Sequence, residues 1–96
     1  MTTTTSVPVS WRDHNPGPIN ASILQALEEF DAEGGLTCEE IENLLGLEHQ
    51  TVSAQISHLK NGTLRHPILI EPTGLKVKTS RGRRAAKLRL KRIGVH

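Results

Sequence analysis

Leu36-Thr-Cys-Glu-Glu-Ile-Glu-Asn-Leu-Leu-Gly-Leu-Glu-His-Gln-Thr-Val-Ser-Ala-Gln-Ile-Ser-His-Leu59 is the stretch from which the rest of this chain is read. Its opening, Thr37-Cys-Glu-Glu40, has the S/T-x-x-E form of a capping box, in which the threonine accepts from the third amide and the glutamate reaches back. A helix therefore starts here, with Ile41, Leu44 and Leu45 as its expected buried face. Gly46 ends it, because glycine takes the positive φ that turns a chain sharply out of a helix. Leu45 and Leu47 anchor the two sides of that turn. A second helix, spanning 48–61, follows with Val52, Ile56 and Leu59 at i, i+4 and i+7, and Asn61-Gly62 closes it.

Upstream, Pro18 suits a first helical turn, and Ile23, Leu24, Leu27 and Phe30 make one apolar stripe up to Gly34-Gly35. Residues 1–17 are rich in Thr, Ser and Pro and read as a flexible arm, because they offer little apolar surface to offset ordering. Trp11 is the exception: it either docks on the domain or anchors a contact. Downstream the period changes. Ile68-Leu69-Ile70, between Pro67 and Pro72, fits a short edge strand. Ala86-Lys-Leu-Arg-Leu-Lys-Arg92 alternates strictly, setting Ala86, Leu88 and Leu90 against Lys87, Arg89 and Lys91. Between them, 73–84 reads as a long basic loop, in which Leu75 and Val77 are candidates for a brief third strand. The expected fold is α+β and mainly helical: three helices with a small antiparallel hairpin, in one domain over 18–93.

A chain of 96 residues with 35% hydrophobic residues is too short for a two-domain enzyme. Its net charge of +2 conceals an asymmetry. Residues 28–48 hold eight acids and no Lys or Arg, whereas residues 73–96 hold nine bases and no acid. A polyanion senses local charge within a Debye length of about 8 Å, so this segregation matters more than the total. Cys38 is the one cysteine, so it has no disulfide partner and no second thiol for a zinc site, and a reducing, cytoplasmic setting is expected. The five histidines show no i, i+4 pair, and no phosphate loop, dinucleotide fingerprint or nucleophile elbow is present. Neither catalysis nor a metal or cofactor is expected. No apolar run approaches the roughly 18 residues needed to span a membrane, and no secretory signal opens the chain.

Thr37, Ile41, Leu45-Gly46-Leu47, Thr51-Val52-Ser53, Ile56 and Leu59 resemble the helix-turn-helix of winged-helix DNA-binding proteins, of the MarR-like and ArsR-like kind. Thr79-Ser-Arg-Gly-Arg-Arg-Ala-Ala-Lys-Leu-Arg-Leu90 is similar to the wing and last strand of small winged-helix proteins, several of them phage-encoded. The resemblance covers about 18–92. It implies a partner, double-stranded DNA, and a regulator that acts by occupying its site, in the host cytoplasm if phage-encoded. Helix 48–61 would then enter the major groove and wing 73–84 would follow the flanking backbone or minor groove. His49, Gln50, Ser53, Ala54 and Ser57 form the outward helical face, small enough to approach base edges, and Gln50 has the bidentate geometry for adenine. Thr51 and Ser53 suit phosphates. Lys76, Lys78, Arg81, Arg83 and Arg84 are the wing's phosphate-binding candidates. Two residues depart from the pattern: Glu42 stands where alanine is common, and Glu48 where Ser or Thr is usual. Each candidate also has a plain reading, as a solvated helix face or an edge-protecting set of bases. The rival function is a protein-interaction module using an acidic face that includes Glu28, Glu29, Glu39 and Glu42. A monomer or weak homodimer is expected.

Overall fold

The computed structural model describes residues 5–64, 67–79 and 82–95. In chain order come strand β1 (Thr5–Pro8), a 3-10 turn at Trp11–His14, helix α1 (Pro18–Glu29) and a second 3-10 turn at Asp31–Glu33. Helices α2 (Cys38–Leu45) and α3 (His49–Asn61) follow, then strands β2 (Ile70–Lys78), β3 (Arg84–Leu90) and β4 (Arg92–Val95). Three helices carrying an antiparallel β2–β3 hairpin make an α+β fold of winged-helix-like form.

The helices form for the reasons their sequences give. Pro18 opens α1, whose Ile23, Leu24 and Leu27 are fully buried. At α2 the capping box is complete: the Glu40 N–H donates to Thr37 Oγ1 at 3.2 Å, and the Thr37 N–H donates to Glu40 Oε1 at 2.9 Å. Gly46 ends α2 with φ +67°, its N–H donating to the Glu42 carbonyl at 2.8 Å. Val52, Ile56 and Leu59 of α3 close over Ile41 and α1. Leu44 departs from the expected buried face and is 49% exposed. It is rotated about 60° around the helix from Ile41, which carries it out of the stripe shared with Leu45.

Leu69, Ile70, Leu88 and Leu90 complete the core from the sheet side. Leu36 adds a third edge to the hairpin: its N–H donates to the Leu88 carbonyl at 3.0 Å and its carbonyl accepts from the Leu88 N–H at 2.7 Å. The alternation of 86–91 holds, with Leu88 and Leu90 inward and Arg89 on the opposite face, paired to Glu71.

Two expectations change. The basic loop of 73–84 is largely strand: β2 runs on to Lys78, and β3 starts at Arg84. Pro72, Gly74 and the charged side chains hide the strand period in sequence. The ladder resumes past them through a register shift between Pro72 and Lys76, with Lys76 opposite Ala86 and Lys78 opposite Arg84. The expected free arm of 1–17 is also different, because from residue 5 it is built into the domain. β1 pairs antiparallel with β4, from Thr5 opposite Val95 to Pro8 opposite Arg92, and the Val9 N–H donates to the Lys91 carbonyl at 2.8 Å. Trp11 docks at 5% exposure, its Nε1–H donating to Glu28 Oε2 at 3.3 Å, with Arg12 stacked 4.3 Å above the ring. A strand ladder satisfies the backbone whatever the side chains are, and two apolar anchors, Val9 and Trp11, suffice to seat the segment. The domain therefore extends beyond 18–93 on both sides.

Candidate nucleic-acid interface

Helix α3 divides its surface by angle. Val52, Ile56 and Leu59 are buried, while His49, Gln50, Ser53, Ala54 and Ser57 are exposed; Thr51 is half-buried. Ser57 Oγ accepts from Asn61 Nδ2 at 3.3 Å. On the other flank Gln55 and His58 line a groove with Asn15, Pro16, Gly17, Asn20, Thr63 and Leu64. Glu48 adopts an extended N-cap conformation and makes no side-chain cap bond. Lys60 is the one Lys or Arg on the helix, so α3 presents amide, hydroxyl and imidazole groups and little positive charge.

The wing supplies the charge. Lys76, Lys78, Arg83 and Arg84 are all exposed, and Arg81 lies outside the described residues. The turn is tied by the Thr79 N–H to the Arg83 carbonyl at 2.7 Å and by the Gly82 N–H to the Thr79 carbonyl at 3.0 Å. Lys78 stands directly across the ladder from Arg84, an arrangement of like charges that costs stability. Among the described residues, none of these four cations forms an ion pair. Other bases of the cationic segment work inside the fold. Arg89 pairs with Glu71 at 2.8 Å, Arg92 grips both oxygens of Asp31 at 2.7 Å, and Lys87 Nζ reaches the Gly35 carbonyl at 3.5 Å.

The first turn of α3 and the wing turn meet. His49, Thr79, Arg83 and Arg84 line one cleft of about 270 Å³, together with Cys38, Glu39, Glu42 and Ala85. The acids of the first two helices are therefore not confined to a face remote from the cations. Glu39 and Glu42 lie in the wing cleft, Glu28 holds Trp11 and Arg12, and Glu29 borders a groove with Leu44 and Leu45.

Glu42, one of the two departures from the helix-turn-helix pattern, has a local explanation. Its Oε2 accepts from His49 Nδ1 at 2.7 Å and from Cys38 Sγ at 3.3 Å. Partial burial, then the hydrogen bond to Glu42 and its charge, push the Cys38 thiol up to about 12, so it stays protonated at neutral pH. Cys38 has no second thiol beside it, but Cys38, Glu42 and His49 bring their donor atoms within 4.8 Å of one another. The sequence carries half of that signal, since Cys38 and Glu42 are i, i+4 on one helix. The other half depends on the crossing at Gly46, which swings His49 back onto them.

The fold is thus of the α+β, winged-helix-like class, and among the described residues no helix is long and apolar enough to cross a membrane. Compared with protein-family models, curated proteins and solved structures, the chain returns no match.

Proposed function

We propose that this chain binds double-stranded DNA, with the wing gripping phosphates and the exposed face of α3 turned toward the major groove. The observation that carries the reading is the wing quartet, Lys76, Lys78, Arg83 and Arg84, exposed and without an ion pair among the described residues, with Arg83 and Arg84 in one cleft with His49 at the start of α3. Folding alone does not favour Lys78 opposite Arg84; a polyanion turns that repulsion into attraction. Gln50 and Ser53 then supply sequence discrimination, Gln50 with the geometry for adenine. His49 Nδ1 is engaged by Glu42 at 2.7 Å, which leaves Nε2 as the ring nitrogen open to a base edge. Glu48 and the two acids in the cleft oppose phosphate, so affinity rests on the wing and orientation on the helix. The rival reading, capture of a protein by an acidic face, has less support, since Glu28 is engaged by Trp11 and Arg12, Glu29 borders a separate groove, and Glu39 and Glu42 share the wing cleft with Arg83 and Arg84.

Fluorescence anisotropy with a labelled duplex at several salt concentrations tests this. With four to five phosphates neutralised, log K is expected to fall against log salt with a slope of about −4. Arg83→Glu with Arg84→Glu is expected to abolish binding, with the circular dichroism spectrum unchanged. Gln50→Ala is expected to weaken preferred sequences more than random ones. Absence of affinity at low salt overturns the proposal.

A further inference from the structure

The geometry points to a transition-metal site of zinc type formed by Cys38 Sγ, Glu42 Oε2 and His49 Nδ1 at the junction of α2 and α3. Cys38 is the first residue of α2 and Glu42 sits one turn along the same face, while His49 is the first residue of α3. The three donor atoms lie within 4.8 Å of one another. Bonds of about 2.0–2.3 Å at tetrahedral angles place donor atoms roughly 3.3–3.6 Å apart. Sulfur and carboxylate already meet that requirement at 3.3 Å, whereas the sulfur–imidazole separation, within 4.8 Å, has to close onto it and the carboxylate–imidazole separation of 2.7 Å has to widen by a fraction of an ångström. His49 is able to give that fraction, since its side chain is 66% exposed; Glu42, at 17%, forms the fixed floor of the site.

Chemistry selects the ion. A thiolate, an imidazole and a carboxylate suit zinc and its borderline neighbours, and a hard cation such as Mg²⁺ or Ca²⁺ has no use for the sulfur. On binding, the Cys38 thiol releases its proton to solvent and the thiolate donates to the metal; the metal displaces the hydrogen bonds that now join the trio. Thiolate and carboxylate together neutralise a dication, so Arg83 and Arg84 in the same cleft face a neutral centre. Three protein donors leave a fourth position, open to the cleft, for water or an exogenous ligand. The bound ion staples the start of α3 to α2 across the Gly46 turn. This site stands whether or not the chain binds DNA.

Cobalt(II) titrated into the full chain under a non-thiol reductant reports the site directly. One equivalent is expected to produce a thiolate-to-cobalt charge-transfer band in the near ultraviolet and tetrahedral d–d bands in the visible, both erased by zinc. Cys38→Ser is expected to remove the charge-transfer band. His49→Ala is expected to lower cobalt affinity about tenfold or more, as losses around metal sites do. His58→Ala, outside the site, is expected to bind as the parent does. Circular dichroism and thermal melting of each metal-free variant separate lost binding from lost fold. No charge-transfer band at equimolar cobalt, or unchanged affinity in both Cys38→Ser and His49→Ala, overturns the assignment.

Discussion

Gly35 shows how a residue's requirement can come from far along the chain. Gly34-Gly35 reads in sequence as a helix terminator, and a terminator needs no neighbour. Yet Gly35 has φ +88°, and a Cβ placed on it would run into the Leu88 carbonyl oxygen, the atom that accepts from Leu36. Strain in the left-handed region and the displaced bridge act together, so Gly35→Ala is expected to cost about 2–4 kcal/mol. Urea denaturation measures it; a change below about 0.5 kcal/mol would mean that the Leu36–Leu88 bridge adapts freely. The Thr37–Glu40 box, by contrast, was legible because both partners lie within one turn. The same rule separates Cys38 and Glu42, visible as a helical pair, from His49, whose arrival depends on tertiary crossing.

Among the elements, the hairpin departs most from its sequence pattern. Leu75 and Val77 carry a strand period, but Pro72 and Gly74 interrupt it, and pairing with β3 restores what local propensity obscures. Glu71 secures the open end of this hairpin, opposite Arg89 and away from the turn. It accepts from Arg89 Nε at 3.1 Å and Nη2 at 2.8 Å, and from the Arg92 N–H at 3.0 Å, while Arg92 reaches on to Asp31 at the start of the second 3-10 turn. Partial burial alone would raise its pKa, but the Arg89 hydrogen bonds, the Arg92 N–H and both guanidinium charges outweigh that and hold it below the ordinary 4.5. A carboxylate depressed in the folded state stabilises fully above its unfolded value and loses that contribution as pH falls through the folded one. Stability is therefore expected to decline on acidification below about pH 4.5. Glu71→Gln should flatten that decline and lower neutral-pH stability by about 1–2 kcal/mol. Denaturant midpoints at several pH values check both; parallel profiles for parent and variant would exclude Glu71 from the acid response.

Across the whole molecule, the helical core was legible from periodicity, whereas the second sheet was not. β1 and β4 lie almost the full chain apart, and each is only four residues long and interrupted by Pro8 or Gly94, so neither stands out alone; their pairing supplies the hydrogen bonds that make them strands. A domain this small buries only about 60–65% of its unfolded surface, so Val9 and Trp11 are a large addition. Trp11→Ala is expected to cost about 3 kcal/mol and lower Tm by more than about 10 °C. Calorimetry decides it, and a Tm within a degree or two of the parent would show the segment to be an ornament on the domain. The charge blocks also changed meaning at this scale. In sequence they form a dipole, but once folded they interlock, with Asp31 holding Arg92 and Glu40 lying 4.0 Å from Lys87. Among the described residues, the wing's Lys76, Lys78, Arg83 and Arg84 stay outside these ion pairs.

The antiparallel clasp of β1 with β4 has a mechanical consequence. Thr5 and Val95 are directly opposed, so backbone leaving the ladder at either point departs from the same edge, about 5 Å apart. Tension drawn across those two points loads one rung at a time, like a zipper, instead of shearing all four together. The Arg92–Asp31 fork is the next latch to meet the pull. Pulled at those two points, the clasp is thus expected to open rung by rung.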